Sequence, residues 1–246
     1  LVGGLKRSCN PYFYHIGLDL FRQKGATYLA DMARGFGLGS PTGIEGVAED
    51  AGSINNPVDD GSASQMGIGQ GDMLVTPIQV VDFMAAIANG GTLYTPQIIQ
   101  SVVTADGQEV VGYSPEVRGQ LPISETTLAA VQEGMKQVVS EKDGTAYAKF
   151  LGLNIAIYGK TGTATTSLED PHSWFAGFTA ENRTDKPDIA IAVILENMGD
   201  GSVYAAPVFR RIVEDYYYGA PQTPYAWEFT YYYTKTPLPE TETPTP

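Results

Sequence analysis

Apolar residues recur along this chain with two periods, and the change from one to the other separates helical from extended stretches. Tyr12, Phe13, Ile16 and Leu20 lie close to helical spacing across residues 11–21. Asn10 and Pro11 suit the cap and first position of that helix, so Ser8-Cys9-Asn10 should stand at a helix mouth. A second helix is predicted over 26–36, with Tyr28, Leu29, Met32 and Phe36 on one face, ended by Gly37, Gly39 and Pro41. Residues 40–72 are rich in Gly, Ser, Asn and Asp and read as one long surface loop. Thr76 can cap, and Pro77 can open, a helix over 77–89 whose buried face is Val80, Val81, Met84, Ile87 and Ala88. Stretches 98–104 and 109–113 flank Asp106-Gly107, a hairpin signal. Ser124 opens a further helix, with Leu128, Val131, Met135 and Val138 at helical spacing. Strands are predicted at 153–158, 173–179 and 189–195, then a closing helix over 206–217. Strands that come late and consecutively, between helices, suit an α+β fold: an antiparallel sheet covered by helices.

Composition narrows the classes. At 246 residues, 43% hydrophobic and 17% charged, the chain can bury a sizeable core. A net charge of −13 argues against nucleic acid as a partner, because a phosphate backbone needs clustered Lys and Arg. The single cysteine, Cys9, excludes an internal disulfide and a cysteine zinc site. His15 and His172 are too far apart to suggest a metal motif, and no cofactor is implied. Glu45, Glu49 and Asp50 form a loose acidic loop without metal spacing. No apolar run reaches the length of a membrane span.

The chemistry-bearing residues are few. Lys160-Thr161-Gly162-Thr163 follows an apolar strand, and Ser8-Cys9-Asn10 lies far upstream. A hydroxyl, an amide and an ammonium suit acyl transfer by a serine nucleophile. Lys160 can hydrogen-bond the Ser8 hydroxyl, which can relay a proton to a leaving nitrogen. Asn10 can hold a substrate amide and fix the neighbouring lysine. Thr161 and Thr163 can bind a terminal carboxylate beside the charge of Lys160. Gly162 leaves room for substrate against the backbone, and the Thr163 N–H can be half of an oxyanion hole. Taken singly, Ser8 and Asn10 read as a helix cap and Lys160 as a solvated lysine. Taken together and in this order they read as a site. The tyrosine runs at 216–218 and 231–233 and the two histidines carry no comparable pattern.

These motifs resemble those of class B penicillin-binding proteins. Ser8-Cys9-Asn10-Pro11-Tyr12-Phe13-Tyr14 is similar to the family's second motif and Lys160-Thr161-Gly162-Thr163-Ala164 to its third. Gly69-Gln70-Gly71-Asp72, the block from Val75 to Gly91 and His172-Ser173-Trp174-Phe175-Ala176-Gly177-Phe178 resemble its longer stretches. The resemblance covers roughly residues 5–217. It implies a penicillin-binding protein transpeptidase or β-lactamase-like fold: a central antiparallel sheet with flanking helices beside a mostly helical subdomain. It also implies catalytic roles for Ser8, Asn10 and Lys160 and substrate-binding roles for Thr161, Gly162 and Thr163. The implied activity is cross-linking of peptidoglycan stem peptides through a serine acyl-enzyme, with covalent capture of β-lactams. Division or elongation machinery would be partners, at the extracytoplasmic face of the bacterial cytoplasmic membrane.

One element of the pattern is missing. No serine in the chain is followed three residues later by lysine, and that motif carries the family's nucleophile. The expectation is therefore an incomplete fold: a partial transpeptidase domain over 1–218, then a Thr/Pro/Tyr-rich tail over 219–246 expected to be largely disordered. Nucleophile and membrane anchor would lie in a missing N-terminal segment, the chain alone would be inactive, and apolar surface would be exposed where the missing helix packs. Two other readings stand beside it: a β-lactamase or β-lactam sensor domain, and a non-catalytic scaffold of the same fold.

Overall fold

The computed structural model describes residues 1–167 and 170–229, and its first element is one the spacing did not announce: α1 (Val2–Lys6), followed by α2 (Asn10–Lys24). The cap of α2 is Cys9, not Asn10, and no side chain caps that helix. Asn10 instead begins the first turn beside Pro11, whose missing N–H costs nothing there. Next comes α3 (Tyr28–Gly35).

Residues 40–72 depart from the predicted loop, since they contain β1 (Ser53–Ile54) and α4 (Asp60–Gly67). The signal for α4 was a capping box. Asp59 Oδ1 accepts the Ser62 N–H at 2.7 Å, and Ser62 Oγ accepts the Asp59 N–H at 3.0 Å. It was hidden because the helix behind it, Asp-Gly-Ser-Ala-Ser-Gln-Met-Gly, carries almost no apolar periodicity.

After β2 (Met73–Leu74) comes α5 (Pro77–Ala88), capped as expected by Thr76 in a box with Gln79. Gln79 is 1% exposed, and its amide also donates to Ser40 O at 2.8 Å and Ala51 O at 2.9 Å. Gln79 thus pins the 40–51 segment to the helix, which satisfies a polar group that burial would otherwise penalise.

Four short strands follow: β3 (Thr92–Tyr94), β4 (Ser101–Val103), β5 (Glu109–Gly112) and β6 (Val117–Gln120). The predicted hairpin is β4–β5, whereas β3 pairs with β6. Then come α6 (Glu125–Ser140) and α7 (Tyr147–Phe150).

The central sheet is β7 (Ile157–Ala164), β8 (His172–Thr179) and β9 (Ala190–Leu195), antiparallel in the order β7-β8-β9. β7 starts four residues later than predicted and contains the Lys160-Thr161-Gly162 stretch rather than leading into it. One face of β8 presents Trp174, Ala176 and Phe178 to a core of Val80, Met84 and Ile87 from α5 and Leu128 and Met135 from α6. The opposite face buries Phe175 against Phe150 and Phe209, ring centroids 5.4 and 4.7 Å apart. Phe209 belongs to α8 (Ala205–Tyr218). A phenylalanine fully buried in this way contributes on the order of 2–3 kcal/mol.

α2 and α4 meet backbone to backbone. A Cβ on Gly17 would stand 2.6 Å from Ala63 O and 3.0 Å from the Gly67 Cα. α2 and α4 therefore pack with no room for a side chain between them at this point.

Leu1–Arg210 is one compact unit and the remainder a second. In the second, Arg211 donates to Glu214, Glu228 and the Thr223 carbonyl, and Tyr225 stacks on Trp227 with centroids 5.6 Å apart. It includes α9 (Ala226–Phe229), which falls inside the expected tail. The rest of that tail, 230–246, with the 231–233 tyrosines, lies outside the described residues.

Candidate active site

Ser8 is the middle residue of a tight three-residue link between α1 and α2, and its φ of 49° is in the left-handed region. A non-glycine residue there carries strain of about 1 kcal/mol or more, held in place by surrounding structure. Here Ser8 N donates to Leu5 O at 3.1 Å and Cys9 N to Gly4 O at 3.0 Å. The turn aims the Ser8 hydroxyl at the edge of β7, where Lys160 Nζ donates to it at 2.7 Å. Lys160 Nζ also donates to the Thr161 carbonyl at 2.7 Å. Burial lowers the Lys160 pKa to about 8, with the negative charge of Asp200 pulling the other way. Near neutrality this ammonium can give up a proton far more readily than a surface lysine.

Thr161 is buried, and its Oγ1 lies 2.8 Å from Thr145 Oγ1. Thr163 is exposed, and its Oγ1 accepts the Gly201 N–H at 3.4 Å. Asn10 lines the same cleft, and its side-chain amide bonds to no described group. A cleft of about 590 Å³ is walled by Ser8, Asn10, Lys160, Thr161, Gly162 and Thr163 together, so all six sequence-identified residues share one hollow. The helix-cap explanation for Ser8 and Asn10 fails, because neither side chain caps α2.

Several neighbours were not singled out by sequence. Asp143 takes Lys6 at 2.8 Å and Arg7 at 2.6 Å, which braces the Ser8 turn from outside. These two cations hold the Asp143 carboxyl down at about 2. Thr145 N–H donates to Lys6 O at 3.3 Å, so the same turn is tied to the residue that touches Thr161. Asp200, whose Oδ1 accepts the Ser202 N–H at 2.7 Å, lines the cleft with Ser202. Gln70 reaches from the loop after α4 to accept the Thr165 N–H at 3.1 Å. Each is fixed by tertiary contact, and only Gln70 lay in a block that sequence had marked. His172 accepts the Asn197 N–H through Nδ1 at 3.1 Å, and His15 is exposed on α2.

Alternate residues of an antiparallel edge strand turn their backbone groups away from the sheet. The Thr161 carbonyl and Thr165 N–H, both bonded outward, identify the odd-numbered residues as the outward set. The Thr163 N–H and carbonyl lie between them on that edge, and no described group outside the strand bonds to either. A second hollow of about 700 Å³ shares Gln70 and the Lys160–Thr163 stretch but runs beneath α5, walled by Val75, Val80, Met84, Trp174, Ala176 and Ile194.

This arrangement has close counterparts. A family model, the penicillin-binding protein transpeptidase domain, matches residues 1–214. The chain belongs to that family. The transpeptidase domain is 31% identical over 242 residues to the peptidoglycan D,D-transpeptidase MrdA of Haemophilus influenzae, covering 87% of this chain and 35% of that protein. To the peptidoglycan D,D-transpeptidase PbpA of Mycobacterium tuberculosis it is 33% identical over 231 residues, covering 87% and 43%. The chain thus spans well under half the length of these relatives. Among solved structures, penicillin-binding protein A of Mycobacterium tuberculosis as an imipenem acyl-enzyme aligns with a TM-score of 0.71 at 29% identity, covering 88% of this chain and 47% of that one. The class B resemblance and the fold expected from it therefore hold: mixed helix and antiparallel sheet, in a transpeptidase domain. Among the described residues, no helix is long and apolar enough to cross a membrane.

Proposed function

We propose that this domain forms the Ser8–Asn10 and Lys160–Thr163 side of a serine-type peptidoglycan D,D-transpeptidase site, completed by a nucleophilic serine from outside these 246 residues. The observation that carries the reading is the 2.7 Å hydrogen bond from Lys160 to Ser8, between segments 152 residues apart in sequence. A stem peptide ending in D-Ala-D-Ala would lay its terminal carboxylate against the Thr161 and Thr163 hydroxyls, near the Lys160 charge. The Thr163 N–H, outward and unpaired, would take the developing oxyanion. As the serine oxygen bonds the acyl carbon and the C–N bond to the terminal D-Ala breaks, Lys160 passes a proton through the Ser8 hydroxyl to the departing amine and is restored by the proton that the nucleophilic serine gives up. Asn10 is free to bond a substrate amide. β-Lactams, which present a carboxylate beside a strained amide, would acylate the same serine, and the opened ring would stay attached as its ester.

The apolar hollow beneath α5 supports the same reading. It opens at Lys160 and offers Val80, Met84, Trp174 and Ile194 as the seat for the helix that would carry the nucleophile. The work of such a site would be done at the extracytoplasmic face of the cytoplasmic membrane, where the wall is assembled. Incubation of the 246-residue chain with a fluorescent penicillin tests the proposal. No covalent label is expected, because in this reading the serine that is acylated lies outside these 246 residues. A stable adduct on any residue of this chain would place the nucleophile within it and overturn that part of the reading.

A further inference from the structure

The cleft is bridged twice. At one end Ser8 meets Lys160, and at the other Gln70 Oε1 meets the Thr165 N–H. Both bridging residues come from the body made by α2 and α4, and both partners lie on β7 or its continuation. Five residues separate Lys160 from Thr165, roughly 17 Å of extended chain. The Thr161 carbonyl is taken by Lys160 and the Thr165 N–H by Gln70, and between those two bonds the outward groups are the N–H and carbonyl of Thr163, to which no described group outside the strand bonds. Gly69 and Gly71, at φ 72° and 83°, flank Gln70, and a Cβ on Gly69 would meet nothing within 4 Å. The loop therefore has room to swing Gln70, while α4 behind it is locked to α2 through Gly17 and Gly67. Gln70 lines both hollows, and its NH₂ bonds to no described group.

We propose that Gln70 is a positioning residue that ends the substrate strand: by holding the Thr165 N–H it confines an extended peptide on β7 to the Thr163 pair. A peptide long enough to reach Thr165 must displace the Gln70 carbonyl, whereas a dipeptide end need not. Gln70 thereby sets the length of peptide that the edge accepts. The inference rests on the transpeptidase reading of the cleft, and its test separates the two.

The experiment is a titration of the ¹⁵N-labelled 246-residue chain, and of its Gln70→Ala and Gln70→Glu variants, with N-acetyl-D-Ala-D-Ala and with a pentapeptide of the same terminus. In the parent chain both peptides should shift the Thr163 amide and leave the Thr165 amide in place, whereas in Gln70→Ala the pentapeptide should shift both. Gln70→Ala should favour the pentapeptide over the dipeptide by roughly fivefold relative to the parent, the worth of one hydrogen bond. Gln70→Glu, which keeps the acceptor, should retain the parent ratio. Thr165 amide exchange should quicken in the alanine variant alone, a change that a merely structural Gln70 would spread over α4 as well. A shift at Thr163 with the same affinity ratio in all three proteins overturns the Gln70 inference and leaves the site reading standing. No response at Thr163 to either peptide overturns both.

Discussion

Ser8 illustrates how a residue can be legible in sequence for one reason and placed in structure for another. Its spacing from Asn10 and its distant Lys160 partner were readable as motifs, yet the left-handed turn that aims the hydroxyl depends on α1, whose five residues gave no periodic signal. The brace on that turn is the Lys6, Arg7 and Asp143 cluster, which only tertiary folding assembles. Because its partners hold the folded-state pKa of Asp143 near 2, below the ordinary carboxylate value, its contribution is fully present above about pH 4 and fades as pH falls through 2. Urea unfolding at pH 6 and pH 3 should show the parent losing more stability than Asp143→Asn over that interval. Equal losses would remove the brace from the explanation. Thr145 was beyond sequence reasoning altogether, because nothing local marks a threonine that will meet Thr161.

Among the elements, those with a strong apolar period were readable within a few residues: α5 and α6 with their caps, the β4–β5 hairpin and the three central strands. Where signals failed, chemistry other than hydrophobicity was in charge. α4 starts from a capping box and is held by glycine contact rather than by an apolar stripe, so a polar composition concealed it. That contact gives a sharp expectation. Gly17→Ala drives a methyl into the Ala63 carbonyl, which is backbone and cannot step aside, and should cost about 1–3 kcal/mol. Gly3→Ala in α1 meets nothing within 4 Å and should be neutral or stabilising by several tenths of a kcal/mol. Chemical denaturation of both variants decides it, and a Gly17→Ala protein as stable as Gly3→Ala would mean that the two helices do not touch as described.

At the scale of the whole Leu1–Arg210 unit, the helical body carrying Ser8, Asn10 and Gln70 and the sheet carrying Lys160, Thr161 and Thr163 enclose one cleft. Sequence named the six residues of the candidate site but could not give their separation, the second bridge at Gln70, or the hollow beneath α5 in quantitative form. The pairing of Ser8 with a half-buried Lys160 is the point on which cleft, mechanism and family reading all converge. Burial lowers the folded pKa of Lys160, so stability should rise with pH between about 8 and 10.5, where the unfolded chain still holds a proton that the folded chain has released. The most direct measurement is an NMR titration of the Lys160 side-chain amine in the parent chain and in Ser8→Ala. A midpoint near pH 8, with the amine signal displaced when the Ser8 hydroxyl is removed, is the expected result. A midpoint above 10 that ignores the loss of Ser8 would show an ordinary solvated lysine and contradict the site.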